Sequence, residues 1–571
     1  MSLVPLFLRI KRALSIRSAM AVVALAVLPA SSISAQLPHT APPNVVQRAA
    51  GHIPNDITPV QLMSRPGTWS RRVNTNVTVA QSFFDQGLRM YYAFNHAEAV
   101  RAFREAQRLD PKCVMCFWGE AIALGPNVNT PMNANAERQA IEVTERGLML
   151  LAGKNADSKE SVWMNAAAAR YLGRDRSRAE RDTAYAVAMK AIAAQSPRDA
   201  DALTLAAEAA MDLSPRLYWT REGSARPGTD ELLTWLERGM QMAPTHPGAC
   251  HFYIYAVEAA HPERAERCAD RLAHLVPGAG RSVPIPAHIY ARVGRWADAI
   301  KMAKYAVYAD DEYFEGAHTP NDALHSAMYQ ADNFRFLAMV AVMTGASATA
   351  LDASAHVADL VTPEIARQFP SQEALMAVPV QTLVTFGRWE ETLRRPLPPA
   401  DLRIATSHFW YARGIAFAAT GRVSEARATI DSITAVARTL PESETRTTLA
   451  IATRMIEGEL ALRAGNASQA VVVFADAAAM EDNLLYSATP AWYHPVRHSL
   501  GKALLAAGRP QDAEQVYLAD LRRFPENGWS LRGLADALRA QNLKNEATAI
   551  EKRFKQAWRL ADVKITASRL L

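Results

Sequence analysis

Cysteine is scarce in this chain: only 4 occur in 571 residues. None follows the short apolar stretch near the N-terminus, which argues against lipid attachment at a cleavage site there. That stretch, Ala19 to Leu28, is itself too short to span a bilayer, which takes about twenty apolar residues. No segment alternates apolar and polar side chains with period two, so essentially no sheet is expected. A strong charge of one sign is also lacking. The chain has 63 Lys and Arg against 57 Asp and Glu. Arg9, Lys11, Arg12 and Arg17 account for most of the excess, and without residues 1–35 the balance is 59 to 57. Nothing in that balance points to a nucleic-acid partner.

Those same four cations, the apolar stretch and the small residues Ser32 to Ala35 make an export signal. Residues 1–35 are therefore read as a signal peptide, the alternative being an uncleaved anchor, and the mature chain as periplasmic or secreted without a transmembrane segment. Residues 36–79 carry Pro, Asn and Thr without helical periodicity and are expected to form an extended arm or linker.

The rest is rich in apolar side chains, 49% of the whole chain, and too long for one compact core. A repeated spacing resolves the conflict. Gly414, Gly421, Ala426 and Ile430 are matched by Gly501, Gly508, Ala513 and Tyr517, with Pro525 closing the unit. This is the arithmetic of a tetratricopeptide helix-turn-helix, in which small residues sit where two antiparallel helices touch. Phe83, Gly87, Ala99, Phe103 and Ala106 give the first such unit. Pro286, Gly294, Trp296 and Ala299 give a clear one mid-chain. The expected fold is an all-α, tetratricopeptide-like solenoid of about ten helix pairs. Residues 80–395 form an irregular repeat domain with loop insertions at 125–136 and 213–229, and 396–571 a regular one. In a solenoid, insertions emerge together on one face and carry binding.

Candidate sites follow. Cys113 and Cys116 open a helix after Asp110-Pro111, where the helix dipole stabilises a thiolate. They could instead form a local disulfide or fill apolar space. Phe117 stands where haem attachment needs His, and no second cysteine pair completes a zinc set. Cys250 and Cys268 lie on opposite helices around His261-Pro262, offset along the axis, so a bridge between them is not favoured. Asn127 and Asn129 either turn the chain or present amides to a ligand beside Trp118 and Met132. His251, Tyr255 and Glu258 share a helical face, with His288 and Tyr290 in the next unit. Glu258 with two His could hold a metal or act as acid and base, or the stripe could satisfy itself inside a groove. Trp492 opens a later unit, as packing or as a stacking platform.

Several of these segments resemble a family of exported bacterial tetratricopeptide-repeat proteins, largely of unassigned function. The matching pieces are Asp110 to Gly119 (DPKCVMCFWG), Gly125 to Asn129 (GPNVN) with Pro131-Met132, and Pro286 to Ala299 (PAHIYARVGRWADA). Trp492 to Pro495 with Leu500-Gly501, and Asn527 to Trp529, are similar as well. The resemblance covers most of residues 80–560. It implies additional histidines forming a metal site, but this chain has Tyr255, Arg281, Pro284, Asp332 and Arg335 at those places. Only His251, Glu258 and His288 remain, so the resemblance implies a site mostly lost.

Taken together, the residues point to an exported scaffold that binds a peptide, protein or glycan in a concave groove, without a cofactor. The ligand contacts expected are Trp118, Asn127, Asn129, Tyr255, His288, Tyr290 and Trp492. The rival reading is a metal- or thiol-dependent enzyme or metal carrier using a transition metal at Cys113, Cys116, His251, Glu258 and His288.

Overall fold

The computed structural model describes residues 60–63, 67–152, 159–173, 175–275, 283–316 and 329–570. The expected signal peptide, residues 1–35, with Arg281 and residues 36–59 and 64–66 of the expected arm, lies outside the described residues. Within the unit that spans Asn44–Leu571, every regular element described is helical, and the only β-type pairings are two isolated bridges. No helix among the described residues is long and apolar enough to cross a membrane.

The helices run in antiparallel pairs. The first half holds α1 (Thr78–Tyr92) with α2 (His96–Leu109), α3 (Val114–Ala123) with α4 (Ala134–Leu151), and α5 (Ser161–Tyr171) with α6 (Arg178–Gln195). Then come α7 (Ala200–Asp212) with α8 (Thr229–Met242), α9 (Pro247–Val257) with α10 (Glu266–Leu275), and α11 (Ile285–Arg292) with α12 (Trp296–Gly316). Next are α13 (Ala331–Met343) with α14 (Ser347–Leu360), the short α15 (Pro363–Gln368), and α16 (Val378–Thr385) with α17 (Trp389–Arg394). The last four pairs are α18 (Arg403–Ala419) with α19 (Val423–Ala437), α20 (Glu444–Arg463) with α21 (Ala467–Asp482), α22 (Val496–Ala506) with α23 (Pro510–Arg523), and α24 (Gly528–Ala540) with α25 (Lys544–Ala557). The fold is an all-α tetratricopeptide-like solenoid. The described residues hold twelve such pairs, in keeping with the about ten expected.

First helices of successive pairs touch one another, as α1 on α3, α7 on α9, α9 on α11 and α18 on α20 do. Second helices make no comparable contacts among themselves, so the first helices form the inner layer of the curve. The turn inside six of the pairs uses a left-handed residue, and glycine supplies it at 294, 345, 387, 421, 465 and 508. Gly345 is doubly constrained: a Cβ there would lie 2.3 Å from the Trp558 ring.

The coil returns on itself. Trp296 Nε1 donates to Pro525 O at 2.7 Å, Trp529 Nε1 to Val342 O at 2.9 Å, and the amides of Ser347 and Ala348 to the Asp562 carboxylate. At residues 390–402, where a domain division is expected, α16 and α17 both pack on α18. Phe524, Trp529 and Ile565 belong to the same buried cluster as the first repeats.

The described part of the expected arm is no free linker. Trp69 lies 4.3 Å from the His246 ring, its Nε1 donating to Asp201 at 3.1 Å. Arg71 bridges Asp199 and Asp201, both at 2.9 Å. Tyr92 OH and His246 complete the ring of donors around Asp201. Burial opposes that charge, but His246, Arg71 and Tyr92 outweigh it and hold Asp201 well below the usual carboxylate range.

Candidate functional site

The two insertions singled out in the sequence meet. In the first, Asn127 and Thr130 exchange backbone hydrogen bonds at 3.0 Å, and Asn127 Oδ1 accepts from the Asn129 amide at 2.8 Å. Asn127 therefore serves the turn, while Asn129 extends from its tip. Asn133 ends the insertion by capping α4. In the second, Trp219 Nε1 donates to Ala256 O at 2.6 Å and its ring packs on His261, which pins residues 213–228 to α9. Arg216 then reaches both ways. It donates to Asn129 Oδ1 and pairs with Glu258 at 3.3 Å. Its guanidinium lies 4.9 Å above the Tyr255 ring, and Asn129 Nδ2 donates to Tyr255 OH at 3.3 Å.

Tyr255 is held between two strained residues. Among the described residues only Phe94, Arg216, Glu526 and Asn542 are non-glycines with positive φ, and two of them touch this ring. Phe94, at φ 57°, occupies the turn position that glycine fills in later pairs, as the common five-residue step to Ala99 shows. Its ring meets Tyr255 edge-on at 5.2 Å and stacks on Phe252 at 5.2 Å. A bulky residue in that backbone region costs on the order of 1–3 kcal/mol, so its side chain must be needed there.

Below Tyr255 lies His251, almost fully buried, whose Nδ1–H donates to Tyr92 O at 2.7 Å. Nε2 has no partner. Burial lowers its pKa to about 4, so the ring is neutral and the Nε2 lone pair is unused. Burial also raises the Glu258 carboxyl, against the opposing pull of Arg216 and Arg292. His288, on α11, is pushed down to about 3 by burial and by Arg216, and its ring packs on Phe336 at 4.6 Å. Arg292 stays tied to Glu258 O, Ala259 O and Arg523 O, and lies 5.2 Å over the Tyr486 ring. Arg221 reaches Asn483 at 2.9 Å. The loop between α21 and α22 therefore closes the wall from the far half of the chain.

Of the expected ligand residues, Asn129, Tyr255 and His288 come to this wall, with Glu258 and His251 beneath. Three do not. Trp118 is fully buried against Trp163, centroids 5.3 Å apart. Tyr290 is buried and turns instead to Asp270, to which its OH donates, and to Arg295 over its ring. Trp492 is buried edge-on against Tyr411 in the second core. Each fills a seam between helices, a use that an apolar stripe does not distinguish from a groove. The metal set also fails to converge. Cys113 and Cys116 are joined by a disulfide and fully buried at the start of α3. No three His, Cys, Asp or Glu side chains among the described residues come together to hold a metal. Cys250 and Cys268 are unbridged. Asp332 and Arg335, two positions where the resemblance implies histidine, lie on α13; Arg335 donates to Pro490 O at 2.8 Å and Asp332 remains half exposed.

Sequence reasoning missed Arg216, Arg292, Tyr486 and Phe94. Only Phe94 left a signal, a missing glycine in an otherwise regular turn.

No protein-family model matches this chain, and no curated protein matches it either. Solved structures similar to it are found at low scores. The human IFIT1 dimer with m7Gppp-AAAA is similar at 13% identity and a TM-score of 0.33, over 86% of this chain and 92% of its own. The APC/C hetero-tetramer Cut9-Hcn1 is similar at 12% identity and a TM-score of 0.28, over 85% and 77%. At that identity and score the likeness carries nothing about function.

Proposed function

We propose that this chain is an exported helical-repeat scaffold that binds a peptide or protein segment on the inner wall around Tyr255. The observation that carries the reading is the Tyr255 ring held between Phe94 and Arg216. Two residues are kept in an unfavourable backbone region at one place on the concave layer, where two insertions and a distant loop meet. Backbone strain persists only where surrounding structure enforces it, and it gathers at binding sites. The N-terminal signal, with the resemblance to exported repeat proteins, supports a periplasmic or secreted location.

The chemistry favours a peptide over a glycan. Sugars stack on free aromatic faces, but Arg216 covers Tyr255 and Arg292 covers Tyr486. What the wall offers is a mix of guanidinium, carboxylate, amide and phenol groups suited to main-chain and charged side-chain contacts. Peptides selected from a random library against the full chain provide the test. Their affinity, measured by calorimetry, should fall by about tenfold or more in Tyr255→Ala and in Arg216→Ala. It should be unchanged in Val187→Ala, on the exposed face of α6. Equal affinity in all three variants contradicts the reading.

A further inference from the structure

Away from that wall, three sulfur atoms from three helices converge. The Cys268 thiol, on α10, lies 3.1 Å from the thioether of Met240, on α8, and the Cys250 thiol, on α9, lies 3.7 Å from the same sulfur. Both thiols are buried and unbridged. Both cysteines belong to the main buried apolar cluster. Met240 is only partly covered, so one side of the cluster opens towards solvent.

We propose that Cys250, Cys268 and Met240 form a binding site for a soft monovalent cation, Cu(I). Two thiolates and a thioether are the donors that select Cu(I) over harder ions. Zinc fits poorly, since its sites take four ligands, commonly with imidazole or carboxylate, and no group of three His, Cys, Asp or Glu is found among the described residues. The spacing suits a three-coordinate ion. Sulfur sits about 2.3 Å from such a d10 metal, which places three sulfurs of a trigonal set about 4 Å apart. The observed 3.1 and 3.7 Å need only a small opening to reach that.

Electrostatics agree. Cu(I) with two thiolates carries one net negative charge, and the Arg271 guanidinium favours thiolate at both cysteines. The incoming cation displaces both thiol protons, from Cys250 and Cys268, to solvent. Nothing in this site depends on the Tyr255 wall, so the two readings stand or fall separately.

The test uses the full chain, purified anaerobically without thiol reagents. Titration after unfolding should count two free thiols per chain, those of Cys250 and Cys268. Loaded with Cu(I) under ascorbate, which leaves disulfides intact, the protein should retain a single ion against bicinchoninate. Copper-edge absorption should show a sulfur shell. Cys250→Ser and Cys268→Ser should abolish retention, and Met240→Leu should weaken it by about tenfold or more. The double variant Cys113→Ser/Cys116→Ser should keep the ion. Should the cysteine variants fail to fold, the parent still answers: copper must protect Cys250 and Cys268 from alkylation, read by mass spectrometry. No retention, retention unchanged in folded variants, unprotected thiols, a shell dominated by nitrogen or oxygen, or thiols found already bridged overturns the proposal.

Discussion

The Nδ1–H of His251 donates to the main-chain oxygen of Tyr92 at 2.7 Å, across 159 residues of sequence. This bond fastens α9 to α1 and fixes the tautomer, leaving Nε2 as an unpaired base under Tyr255. Burial lowers the pKa of His251 from 6.5 to about 4. Between those values the unfolded chain binds the extra proton, so stability rises with pH there and is lost on acidification from about pH 6.5 towards 4. This one group accounts for a few kcal/mol at most (about 1.4 kcal/mol per pKa unit). Urea unfolding at pH 7 and pH 4.5 should show the parent losing more stability than His251→Phe. Equal losses contradict the buried neutral ring.

Glu208 works in the opposite sense. It is buried beside Asp212, which pairs with Arg170 at 2.8 Å. Burial and the Asp212 charge raise the Glu208 carboxyl well above its ordinary value, and burial raises Asp212 to about 6. A raised acid stabilises the fold below its unfolded pKa and loses that contribution as pH rises. Glu208→Gln removes the proton but keeps the shape. Its stability relative to the parent should therefore increase from pH 5 to pH 9. A difference that does not change with pH contradicts a protonated Glu208.

The strap at Trp69 and Arg71 depends on Asp201. Asp201→Asn removes one of the two carboxylates that hold Arg71, leaving Asp199, and weakens the acceptor shared by Trp69, Tyr92 and His246; it should cost about 1–3 kcal/mol, the range for poorly satisfied buried polar groups. It should also make the chain after Arg71 cleavable by trypsin under native conditions. Native resistance equal to the parent's contradicts this account of the strap.

Phe94 and Asn542 both hold left-handed backbone at turn positions. Asn542→Gly should gain up to about 1 kcal/mol by relieving strain. Phe94→Gly relieves more strain but removes a ring packed on His251, Phe252 and Tyr255, with a net loss of about 2–3 kcal/mol expected. Thermal unfolding of the two variants reads the signs directly; a gain at position 94 contradicts a packing role for the ring.

The fold was legible where glycine and alanine punctuate it, as from Gly414 to Ala426 and from Gly501 to Ala513. It was harder to read at Phe94 and Asn542, where the turn is made without glycine. The return of the coil, through Trp296 on Pro525 and Trp529 on Val342, leaves no local signature because it joins residues more than 180 apart. The candidate site was legible in part for the same reason. Asn129, Tyr255 and His288 project from inner helices or insertions, which spacing reveals. Arg216 and Tyr486 join them through long-range packing that spacing does not encode. Trp118 and Trp492 show the reverse failure, since large aromatic side chains at helix starts serve the core as readily as a groove.

Hydrogen–deuterium exchange of the full chain with and without a selected peptide tests the central claim most directly. The account predicts slowed exchange at residues 127–132, 214–221, 251–258 and 483–489, where the two insertions, α9 and the distant loop meet. Protection confined to the outer helices α6 and α8, or none at these four segments, contradicts it.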